Sequence, residues 1–139
     1  MLGFIFLASI FVFVIIILFF SWYYKAVTRR IYGRIYAVVN YVAAERKPPE
    51  NWEKRKSVLN RALASGGSDR KKLRLLEKYM IYIESDARNL IMMAERAGFI
   101  PDEDARAEAV AALNCVRGEA VGECKALMEK YGGSELTGC

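Results

Sequence analysis

A chain of 139 residues with no histidine lacks the commonest general base and the commonest zinc ligand. Its three cysteines are odd in number and too sparse for a disulfide scaffold. Charge is divided unevenly: residues 25–78 hold 15 Lys and Arg against 5 Asp and Glu, a net of +10, whereas residues 79–139 hold 6 against 11, a net of −5.

The first element in the chain is apolar throughout. Leu2 to Tyr24 carries no charge, and about 20 such residues cross a hydrocarbon core. The run closes on Trp22, Tyr23 and Tyr24, aromatics suited to the interface, and Lys25, Arg29, Arg30 and Arg34 follow. A cleaved signal peptide wants a basic start, a shorter apolar stretch and small residues at the cleavage site, and these are missing. The expectation is an uncleaved anchor over residues 1–24. The basic flank predicts, by the positive-inside rule, an outside N-terminus and a cytoplasmic domain at the plasma (inner) membrane. Ser9 and Ser21 are the hydroxyls of the span before its closing aromatics, and no acid or base marks an ion path.

Residues 25–47 read as a basic juxtamembrane helix continuing the span. Val27, Ile31, Ile35, Val38 and Val42 recur at helical steps until Pro48-Pro49 stops them. A domain over 48–133 follows, long enough for one modest core. Its first helix is expected at about 49–64, with Glu50 and Glu53 at the favourable end. The apolar face there is thin: Trp52, Leu59, Ala62 and Leu63. Ser65-Gly66-Gly67 breaks it.

The next helix, 68–97, has Ser68 as the expected N-cap and Gly98 as the expected C′ residue. Leu73, Leu76, Met80, Ile83, Ala87, Leu90, Ala94 and Ala97 alternate at steps of three and four, a heptad-like seam. Leu75, Tyr79 and Tyr82 form a second stripe beside it. The last helix, 102–131, opens on Asp102, Glu103 and Asp104. Its seam is Ala109, Leu113, Val116, Ala120, Cys124, Leu127 and Tyr131. A short tail, 134–139, ends in Cys139. The fold expected is all-α: a transmembrane helix running on into an amphipathic one, then a small bundle on an antiparallel helical hairpin.

Chemistry is sparse. No P-loop or dinucleotide glycine motif occurs. Gly66 to Lys72 places flexible backbone, a helix start and cations together, which is also what an ordinary capped turn looks like. Ser68-x-x-Lys71 matches one penicillin-binding signature whose companion motifs are absent. Cys115 and Cys124, nine residues apart on one helix, point to opposite sides. No catalytic residue, cofactor or metal is expected.

The sequence reading is therefore a non-enzymatic, membrane-anchored interaction or assembly protein, or an accessory subunit of a membrane complex. Headgroup or polyanion contacts are expected at Lys25, Arg29, Arg30, Arg34, Arg70, Lys71 and Lys72. A protein-partner or self-association surface is expected at Leu75, Tyr79 and Tyr82, because the thin preceding helix offers little to cover them. Membrane lipids and a protein are the expected partners, with nucleic acid disfavoured. One alternative is a module binding anionic lipid or nucleic acid through the basic half. Another is a periplasmic-facing helical stalk.

Overall fold

The computed structural model describes residues 2–96 and 98–132. Four helices hold most of them: α1 (Leu2–Glu45), α2 (Glu50–Ala64), α3 (Asp69–Ala94) and α4 (Glu103–Gly132). Among the described residues there is no strand. The chain is all-α with one long apolar helix first, as its periodicity predicts. Ala97 and the 134–139 tail, including Cys139, lie outside the described residues.

The chain forms two compact units that divide between Tyr36 and Ala37. The first is helix alone. Its apolar stretch is long enough to cross a membrane, and none of it is buried within the chain. No proline interrupts it, so every interior backbone group finds its i−4 partner within the helix. Phe19 stacks on Tyr23 one turn later, with ring centroids 6.5 Å apart.

The second unit begins with the last turns of α1, where Val39 and Val42 are wholly buried. The helix ends at Arg46, which adopts a left-handed φ of 51° and donates its N–H to the Val42 carbonyl at 2.9 Å. This is an αL cap made without glycine, and Lys47-Pro48-Pro49 carries the chain away from it. Pro49 is buried and precedes the first turn of α2, where its carbonyl accepts the Trp52 N–H at 2.9 Å. Glu50 and Lys54 pair one turn apart at 2.7 Å. The α2–α3 turn needs glycine: Gly66 and Gly67 have φ of 80° and 146°.

Ser68 occupies the N-cap of α3 as expected, but its side chain makes no capping bond. The helix also stops at Ala94, short of the expected 97. Glu95 donates to Ile91, and Arg96 then donates to Met93 at 3.2 Å, a tightened last turn. Phe99 and Ile100 both donate to the Arg96 carbonyl, which turns the chain and brings Ile100 into the core. Asp102 caps α4 by accepting the Asp104 N–H on its carboxylate at 3.2 Å.

The seams read from sequence hold most of the side chains that α3 and α4 bury; Ala112 is buried outside them, and Leu73, Met80, Ala120, Leu127 and Tyr131 are half-buried. Leu76, Ile83, Ala87, Leu90 and Ala94 are buried on α3, and Ala109, Ala112, Leu113, Val116 and Cys124 on α4. The two helices run in opposite directions, since Lys72 at the start of α3 lies over the ring of Tyr131 at the end of α4, 5.0 Å from its centroid. α2 closes one end of this pair. Its Leu59 and Leu63 pack with Leu76, and Leu75, Tyr79, Leu127, Met128 and Tyr131 surround them.

Candidate docking and headgroup surfaces

The residues expected at lipid headgroups separate into three groups. Lys25, Arg29, Arg30 and Arg34 are all exposed on α1, directly after the aromatic belt. Arg70 and Lys71 are exposed in the first turn of α3. Lys72 differs from both. Its ammonium lies 4.0 Å from Asp69 and over Tyr131, with its side chain only 17% exposed. It serves the bundle, because at its helical position it faces α4.

The Leu75, Tyr79 and Tyr82 stripe lies against α2. Sequence reasoning counted apolar residues on α2 and found too few to cover it. Trp52, one of the residues counted, covers more than the count implied: it is 1% exposed, and its indole N–H donates to the Asp86 carboxylate at 2.6 Å. Asn51 donates to the Tyr82 hydroxyl at 3.0 Å and reaches the same carboxylate at 3.5 Å. The Tyr79 hydroxyl donates to the Trp52 carbonyl at 3.3 Å. The Arg55 guanidinium stacks on the Tyr82 ring, 3.7 Å from its centroid. α2 is thus fastened to α3 by polar groups as much as by apolar ones. All three stripe residues are half-buried rather than open. Asp86 and Asn51, absent from the expected site, were legible only as polar residues, one a turn after Tyr82 and the other next to Trp52.

A second polar contact joins α2 to α4, where Lys56 pairs with Glu123. Beside it lies a cavity of about 90 Å³ lined by Trp52, Lys56, Tyr79, Val116 and Glu123. That volume holds a few waters, whereas small-molecule sites run from about 300 Å³. Larger hollows, about 530 Å³ along Ser57 and Arg61 and about 350 Å³ between Val38 and Glu50, are open surface depressions. Burial pushes the Tyr79 hydroxyl up to about 12, with Cys124, Glu123 and Tyr82 adding to it. Burial and then Glu123 also raise the Cys124 thiol, against an opposing pull from Lys56. Cys124 is buried and Cys115 exposed, as their spacing on one helix implies. Among the described residues no group of His, Cys, Asp and Glu is arranged to hold a metal.

This chain matches no protein-family model, no curated protein and no solved structure.

Proposed function

We propose that this chain is a single-pass membrane protein whose helical bundle is a non-enzymatic docking module at the cytoplasmic face. It would tether partners there or complete a larger membrane complex. One observation carries the reading. A helix of 44 residues is wholly unburied over its apolar stretch, yet its last turns are built into the core of a small bundle. An apolar face of that length has no cover but lipid or other membrane helices. The cations Lys25, Arg29, Arg30 and Arg34 behind Trp22, Tyr23 and Tyr24 favour a cytoplasmic bundle. The α2–α3 fastening leaves only the rim of the Leu75, Tyr79 and Tyr82 stripe, Tyr82 above all, for a protein partner. Enzymatic function is disfavoured because the sequence has no histidine and, of the charged residues around the small cavity, Lys56 and Glu123 are already paired with each other.

Two measurements test the proposal. Alkaline carbonate washing should leave the chain in the membrane pellet. An impermeant maleimide should label Cys115 only after cells are lysed. Release by carbonate removes the anchor, and labelling of Cys115 in intact cells reverses the orientation in favour of the periplasmic stalk.

A further inference from the structure

α3 has a third face. At steps of three and four, Lys71, Arg74, Lys78, Ile81, Arg88 and Met92, with Ser85 between Ile81 and Arg88, follow one line along the helix. The line lies on the side opposite the Leu76–Ile83–Leu90 seam. Every residue on it is exposed, including Ile81 at 58% and Met92 at 48%. No acid falls on it; Glu77 and Glu84 border it on the side away from Tyr82. None of its four cations forms an ion pair among the described residues, whereas Lys54, Lys56 and Lys72 all do. Arg55 of α2, stacked on Tyr82, extends the positive surface across the neighbouring helix.

The geometry points to this face as a docking surface for anionic phospholipid headgroups of the bilayer that holds the chain's own span. The inference rests on the membrane-anchored reading above. From Lys71 to Met92 the line is about 31 Å long at about 1.5 Å per residue. Its four cations follow one another along a single exposed helix line, which suits an extended polyanionic surface. Ile81 and Met92 stand apart among the cations, so they suit shallow insertion between headgroups. A protein partner would instead want a contiguous apolar or aromatic patch, which this face does not offer. Its charge complements the cytoplasmic leaflet, where each Lys or Arg strengthens adsorption about fivefold. The anchor, by tethering the chain to a bilayer, keeps headgroups at high local concentration. Sequence reading placed headgroup or polyanion contacts at Lys25, Arg29, Arg30 and Arg34 and, on this helix, at Arg70, Lys71 and Lys72. The structure retains Lys71, turns Lys72 inward and adds Arg74, Lys78 and Arg88.

The test uses the full chain in nanodiscs of neutral phosphatidylcholine, or of the same lipid with about one third phosphatidylglycerol. A neutral amine-acylating reagent is applied briefly, and each lysine is read by mass spectrometry. Lys125, exposed on α4, is the internal reference. In anionic discs, labelling of Lys71 and Lys78 should fall roughly fivefold relative to Lys125, and recover at high salt. In neutral discs the three should label alike. Arg74→Glu with Arg88→Glu should abolish the protection while leaving the helical content unchanged. Equal labelling in anionic discs overturns the headgroup surface. So does protection that appears only when a second, acidic protein is present, which would reassign the face. Failure of the chain to co-elute with discs overturns the anchored reading itself, a result visible before any labelling.

Discussion

Removing the Asp86 carboxylate should unlock α2 from α3. In Asp86→Ala the Trp52 indole N–H, now the best-buried donor of α2, loses the acceptor it reaches at 2.6 Å. An unsatisfied buried donor costs about 1–3 kcal/mol, towards the upper end where the lost acceptor is charged. Trp52→Phe removes the same bond from the other side and leaves a small void, for about 2–3 kcal/mol. The two share one bond, so Trp52→Phe with Asp86→Ala should cost less than their sum by about 1–2 kcal/mol. Asp86→Asn keeps an acceptor oxygen and should cost about 1 kcal/mol. For a bundle of this size, 2 kcal/mol lowers Tm by roughly 10 °C. Calorimetry of the full chain in mild detergent reads each value from the bundle transition. Additivity of the two single changes within about 0.5 kcal/mol would refute the fastening as the bond that holds α2.

Further expectations rest on single contacts. Tyr79→Asp should destabilise the bundle by at least about 1 kcal/mol more than Tyr82→Asp, because Tyr79 lies in the Leu59, Leu63 and Leu76 cluster while Tyr82 sits at its rim; equal losses in the same melts would place both in the core. Tyr79 has its folded-state pKa raised from 10.0 to about 12, so its protonated form is the one the fold favours. The associated stability is complete below pH 10 and is lost as pH rises towards 12, by about 1 kcal/mol once its partial solvent access is allowed for. Melts of the native chain and Tyr79→Phe should diverge over that window; parallel curves would contradict the burial. Arg46→Gly should raise Tm by a few degrees, since an L residue in the left-handed region costs about 1 kcal/mol and the exposed Arg46–Glu108 pair at 4.0 Å returns little. Alkylation at neutral pH should modify Cys115 well before Cys124, which is buried with a raised thiol pKa, and peptide mapping would show the order.

The elements legible in the sequence are those whose signal is periodic and long. Residues 2–24 and the two seams could be read because every third or fourth position repeats the same demand, and one wrong residue does not erase the pattern. Helix ends were less legible. Ala94 ends α3 because Ile100 must turn back into the core, a non-local requirement that outweighs the local preference for Gly98 as a cap. Arg46 takes the left-handed cap position because Pro48 and Pro49 stop α1, although nothing about arginine favours that conformation. The candidate site was legible only in part. Counting apolar residues understated α2, because a single Trp buries as much area as several smaller side chains and can donate a hydrogen bond as well.

α3 shows how one helix divides its circumference. The α4 seam consumes the strongly apolar third, and the second face is a mixed one that α2 satisfies through Trp52, Asn51 and Arg55. Neither of these can change partner without leaving buried groups unmatched: a free Asp86 in one case, a bare Ile83 in the other. The third face carries no such obligation: its cations are exposed and form no ion pair among the described residues. A surface that loses nothing when vacated suits reversible, salt-sensitive contact better than permanent assembly. On the membrane-anchored reading proposed above, permanent association falls instead to the Tyr82 rim or to the apolar stretch of α1, where Phe11, Ile15 and Leu18 are exposed.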